Sequence, residues 1–153
     1  MRKKIISVVC FLLAVFVSHG IAADSAPFFF LQLSDPQFGF MDNNKSISAE
    51  TEAMNKAVTA INQLKPPFVV ITGDFVNNSK SKEQMAAYKS MIAQIDSSVK
   101  VYMIPGNHDI GKVSRASIDN YKKNYGEPHF SFRYGDCAFI GIDSNIIKEE
   151  DKE

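Results

Sequence analysis

Val101-Tyr102-Met103-Ile104-Pro105-Gly106-Asn107-His108-Asp109-Ile110-Gly111 is an apolar run that breaks at a Pro-Gly corner and hands over three consecutive side chains able to ligate a metal or move a proton. A break of this kind predicts a strand followed by a loop, which lets a rigid sheet hold chemistry at its carboxyl edge. Two earlier stretches end the same way: Phe29-Phe30-Leu31-Gln32-Leu33-Ser34-Asp35-Pro36-Gln37 and Phe68-Val69-Val70-Ile71-Thr72-Gly73-Asp74. Taken singly, an Asp beside Pro or Gly is a turn former whose carboxylate caps local amides, and His108 is a surface-turn histidine. Three apolar runs in a row that each end in oxygen or nitrogen donors predict one shared site.

The 153 residues are 45% hydrophobic, 22% charged and 11% aromatic, enough for one domain with a core of its own. The N-terminus reads differently. Arg2, Lys3 and Lys4 form a basic start, Ile5 to Val17 an unbroken apolar run, and Gly20-Ile21-Ala22-Ala23 a small-residue end. This predicts a signal peptide over 1–23 and an exported protein, periplasmic or secreted, since the apolar run is short of the ~20 residues that a membrane span needs. Without those three cations, Lys plus Arg falls from 17 to 14 against 17 acidic residues. No basic face for nucleic acid is expected. Cys10 leaves with the leader, so Cys137 has no disulfide partner, and its place in an apolar run predicts an inert, buried thiol.

Between these marks the chain alternates. Ala26 to Leu33 is read as a buried strand. Met54, Ala57, Val58, Ile61 and Leu64 share one face of a helix from Ser48 to Leu64, which Pro66-Pro67 stops. A second strand spans Phe68 to Thr72. Ser81 with Gln84 three residues on predicts a capping box opening a helix whose inner face is Met85, Tyr88, Ile92 and Ile95. A third strand, Val99 to Ile104, runs into the opening stretch, and a helix over Ser114–Tyr125 turns Ile118, Tyr121 and Tyr125 inward before Gly126. Strands alternating with helices predict an α/β fold with parallel crossovers. The pattern then changes to a hairpin, Phe130–Tyr134 and Cys137–Ile142 around Gly135-Asp136, and the charged run Lys148–Glu153 reads as a helix start or a frayed tail.

If Asp35, Gln37, Asp74 and Asn107 converge, they offer two carboxylates and two amide oxygens. These are hard donors suited to Mn²⁺, Mg²⁺ or Fe rather than a soft metal. Such a site suits phosphoester hydrolysis, with His108 placed to protonate the leaving oxygen and Asp109 to orient the imidazole.

Asp35-Pro36-Gln37, Gly73-Asp74 followed by Asn77, and Gly106-Asn107-His108-Asp109 resemble the first three motifs of the calcineurin-like metallophosphoesterases, in order. Phe130-Ser131-Phe132 and Ile142-Asp143-Ser144 resemble the hairpin that follows them. The resemblance runs from about Phe28 to Asn145 and implies an α/β/β/α sandwich with two divalent metal ions. In it Asp35 and residue 37 hold one ion, Asp74 bridges, Asn107 holds the other, and a phosphoester is the substrate. The chain departs from the family in two places. Gln37 stands where the family has His, which favours Mn, Mg or Fe over Zn, and the later lone His and Gly-His-x-His are absent from these 153 residues. Residues 24–153 are therefore expected to be the N-terminal part of such a domain. Two classes stay open: a metallophosphoesterase represented by that part, and a non-catalytic, truncated or degenerate domain that binds a cation.

Overall fold

Equal register between three short parallel strands brings their ends to one line. In the computed structural model, which describes residues 26–150 with side chains as far as Ile147, β1 (Leu31–Ser34), β2 (Phe68–Thr72) and β3 (Lys100–Ile104) form a sheet in the order β1-β2-β3. Ser34 pairs with Thr72 and Thr72 with Ile104. Asp35, Gly73 and Pro105 thus leave the same edge side by side. The predicted signal peptide, with Cys10 and His19, lies outside the described residues.

The helices follow from the crossovers. Between β1 and β2 runs α1 (Ser48–Leu64), between β2 and β3 runs α2 (Lys82–Ile92), and after β3 come the short α3 (Asn107–Ile110) and α4 (Arg115–Tyr125). Side chains on β2 alternate. Val69 and Ile71 join Met54, Val58 and Ile61 of α1 and Tyr88 of α2 in a buried core, while Phe68 packs edge-on, on the other face, against the hairpin of β4 (Phe130–Tyr134) and β5 (Cys137–Gly141). Rings form that second layer: Tyr102 lies over Phe132 with centroids 3.8 Å apart, and Phe28 and Phe30 sit against Phe139. The fold is α/β, with helices on one face of the parallel sheet and a second, antiparallel sheet on the other. A last helix, α5 (Ser144–Glu150), leaves the hairpin.

Several sequence expectations need correction. β1 begins at Leu31 rather than Ala26, because only Leu31–Ser34 has a partner in β2. As an edge strand it is alternately half-buried and exposed rather than buried. Leu64 is exposed, since it lies on the last turn of α1, next to the left-handed Lys65 where the chain leaves the core. Ser81 does accept the amide of Gln84, but the Gln84 side chain does not return to close the box. It is buried and turned toward Asn44 and Asn78. Asn107–Ile110 is a helical turn rather than loop. Cys137 is exposed: it pairs with Tyr134 in the last rung before the hairpin turn.

Candidate metal centre

The loops after β1 and β2 continue side by side beyond the strands. The Asp35 amide donates to Gly73 O at 3.2 Å, Gln37 to Asp74 O at 2.8 Å and Phe38 to Phe75 O at 3.1 Å. To do this the backbone turns left-handed at Asp35 (φ 53°), Gln37 (φ 34°) and Asp74 (φ 45°). Left-handed non-glycine backbone costs of order 1 kcal/mol per residue or more and persists where its surroundings over-determine it, often at functional sites. Three of the four predicted ligands carry it.

The third loop closes by backbone contact. Gly73 and Gly106 approach so nearly that a Cβ on Gly73 would lie 2.9 Å from Gly106 Cα, and one on Gly106 would lie 2.1 Å from Asp74 Oδ1. Only glycine permits this meeting. The first turn of α3 then points amides at Asp74, whose Oδ1 accepts from His108 N at 2.9 Å. A carboxylate at a helical N-terminus meets unpaired N–H groups there. Asp74 is buried, Asp35 and Asn107 are exposed, and Gln37 and His108 are half-buried.

Asp109 and His108 divide differently from expectation. His108 Nδ1 lies 2.8 Å from Asn77 O. A carbonyl oxygen only accepts, so Nδ1 carries a proton and Nε2 is the nitrogen that gains or loses one. Asp109 does not orient this ring. Its Oδ1 accepts from the amides of Phe75 (2.8 Å) and Val76 (3.3 Å) and its Oδ2 from Gly106 (2.9 Å), tying the β2 and β3 loops together. Burial pushes the Asp109 carboxyl up to about 7, although the three amides pull the other way and the charge of Asp74 adds to the rise. Asn77, whose carbonyl takes the orienting role, also meets Gln37 through its side chain at 3.4 Å. The signal for it was its place three residues after Asp74.

A model of the calcineurin-like phosphoesterase family matches residues 30–149. The chain belongs to this family. It is 33% identical over 137 residues to serine/threonine-protein phosphatase CPPED1 of Bos taurus, covering 79% of this chain and 44% of that protein. To the protein of the same name from Homo sapiens it is 30% identical over 156 residues, 92% of this chain and 50% of the other. A crystal structure of a dimetal phosphatase from Danio rerio aligns with TM-score 0.47 and 20% identity over 66% of this chain and 35% of that one. The chain spans about half the length of the curated relatives it matches.

Calcineurin-like phosphoesterases are hydrolytic, and membership suggests divalent metal ions. The donors at the sheet edge fit such an ion in chemistry: two carboxylates and two amide oxygens, all hard. They fit in number only in part. Among the described residues no three His, Cys, Asp or Glu side chains gather where one ion could be held, so Asp35 and Asp74 depend on the amides of Gln37 and Asn107 to extend the shell.

Proposed function

We propose that this calcineurin-like phosphoesterase chain serves metal-dependent hydrolysis of a phosphoester, with Asp35, Gln37, Asp74 and Asn107 holding divalent cations and His108 Nε2 giving a proton to the leaving oxygen. The observation that carries this reading is the meeting of three strand ends at one edge, sealed by the Gly73–Gly106 contact, with the His108 amide on Asp74. Divalent cations held by Asp35, Gln37, Asp74 and Asn107 would supply Lewis acidity that neutralises phosphoryl charge. The chain's own residues do the rest. Asp74 is held by a backbone amide and cannot swing away, and Asn77 O fixes the imidazole so that Nε2 is free toward substrate. Gln37 brings neutral oxygen where the family's imidazole would favour zinc, so Mn²⁺ or Mg²⁺ is the proposed ion. The basic start, apolar run and small-residue end of residues 1–23 support an exported protein, and no helix among the described residues is long and apolar enough to cross a membrane.

A second reading is favoured by the short list of charged donors: the chain binds one cation without turnover. One assay separates the two. With Mn²⁺ and a chromogenic aryl phosphate ester, hydrolysis that falls to background in both Asp35→Ala and Asp74→Asn supports the phosphoesterase. Mn²⁺ binding lost in Asp74→Asn, with no Asp35-dependent turnover, supports the binder. Unchanged metal stoichiometry in Asp74→Asn by native mass spectrometry overturns the role given to Asp74 in both. If His108 protonates the leaving group, His108→Gln slows alkyl esters by on the order of 10²- to 10⁴-fold, slows aryl esters less, and leaves metal content intact.

A further inference from the structure

We propose that Gln84, Asn44 and Asn77 form a chain of amides whose direction is set by one backbone N–H and which turns the carbonyl oxygen of Gln37 toward the cation site. The inference rests on the reading that Gln37 faces a cation. It addresses a difficulty specific to glutamine as a ligand. An amide presents oxygen from one end and NH₂ from the other, and only the oxygen can bind a hard cation. Something must decide which end faces the metal.

The decision can be traced outward from a group that cannot flip. The backbone amide of Asn78 donates to Gln84 Oε1 at 2.8 Å. The other end of that side chain is therefore Nε2, which donates to Asn44 Oδ1 at 2.9 Å. The same oxygen faces Asn77 at 2.9 Å, so the group Asn77 presents there is its Nδ2. Asn77 Oδ1 is then left to face Gln37, and the group that meets it, at 3.4 Å, is Gln37 Nε2. Gln37 Oε1 is the end left over for the site. Reversing any one side chain sets oxygen against oxygen or NH₂ against NH₂ along the row, and the cost is largest at Gln84, which is buried, and smaller at the half-buried Asn77 and Gln37 and the exposed Asn44.

The row is built rather than incidental. Gln84 is 3% exposed, on a helix face otherwise given to Tyr88 and the core. A Cβ on Gly39 would fall 2.2 Å from Gln84 Nε2, so the glycine clears the path. Asn44 holds its oxygen in place with left-handed backbone (φ 65°) and a backbone N–H that donates to Gly39 O at 2.7 Å. The 3.4 Å step to Gln37 is the longest and hence the weakest. Asn44 and Gln84 are positioning residues that act through Asn77.

The test is Mn²⁺ affinity of the whole chain by electron paramagnetic resonance, with the side-chain amide resonances of Gln37 followed by NMR in the metal-free protein. Asn44→Gly, which accepts the left-handed backbone while deleting the shared oxygen, is expected to raise Kd by roughly 10- to 100-fold, the range for partners that orient a ligand, and to shift the Gln37 amide signals. Asn44→Asp, which still offers oxygen to both donors, is expected to keep wild-type affinity and signals. Gln84→Met is expected to weaken binding in the same direction without touching Asn77 or Gln37, and it carries the test if Asn44→Gly does not fold. Affinity unchanged in Gln37→Ala overturns the cation reading of Gln37 and the amide chain with it. A Kd raised by Gln37→Ala but unmoved by Asn44→Gly and Gln84→Met overturns the amide chain alone.

Discussion

Strand β2 is held by opposite means at its two ends. At Phe68 it is clasped by rings: Phe28, Phe30, Tyr102, Phe132, Tyr134 and Phe139 surround it with centroids 4.9 to 6.3 Å away. At Asp74, six residues on, the neighbours are backbone atoms of Gly106 and His108 and the amide-bound carboxylate of Asp109. Dispersion among rings is large in sum and loosely directional, so it can absorb small shifts. Close backbone contact and hydrogen bonds cannot. Asp74 is thus fixed by directed contacts, while the next residue, Phe75, turns back into the core and stacks on Tyr88 at 4.7 Å, so polar geometry is set in direct register with apolar packing.

Three substitutions can break or sharpen that contrast. Phe68→Ala has the largest expected effect, about 3–5 kcal/mol of stability for an emptied aromatic site, and it should leave the Mn²⁺ Kd of the folded fraction near wild type. A denaturant titration and a metal titration on the same sample check both halves, and a large Kd change would show that the two ends are not independent. Gly106→Ala comes next, at about 1–3 kcal/mol for an intruding methyl. Here the metal titration should show loss of binding, because the new carbon displaces Asp74; an unaltered Kd would show that the loops yield where the geometry says they cannot. Ile140→Ser is the smallest. Ile140 is 71% exposed on the outward side of the hairpin, so its melting point should move little, by less than about 0.5 kcal/mol in stability, and a clear loss would mean the outward side of the hairpin is covered.

Much of the framework was legible because it is written in periodicity. The helix from Ser48 to Leu64 and the strand from Phe68 to Thr72 have the limits that the apolar spacing and Pro66-Pro67 indicate. The hairpin followed from its two-residue turn, with Gly135 at φ 55°. What periodicity does not report is what lies opposite. The apolar run around Cys137 looked buried, yet Cys137 itself is exposed at the turn end of the hairpin, where the packing is made by its rung partner Tyr134. Ala26 to Phe30 looked like strand, but this segment lacks a ladder and is held by the rings of Phe28 and Phe30. At the site, the three strand ends could be read, while the partner of His108 could not. Asp109 is next to it in sequence, but a helical turn sends adjacent side chains apart, and the carbonyl of Asn77 arrives from another loop. The burial of Gln84 was hidden for a similar reason: a capping pattern and a long-range amide contact call for the same residue at the same place.

The meeting of Gly73 and Gly106 also limits how this sequence can vary. Each position is closed to any other residue by the backbone of the other loop, whatever the catalytic need. A saturation library selected only for soluble, folded protein should therefore be enriched in glycine at 73 and 106, whereas the same selection should let Asp35, which is exposed, vary among residues that accept its left-handed backbone. The two glycines would keep the outline of the motif in lineages that had already lost its chemistry, so a chain can carry the signature of this family long after it has stopped binding metal.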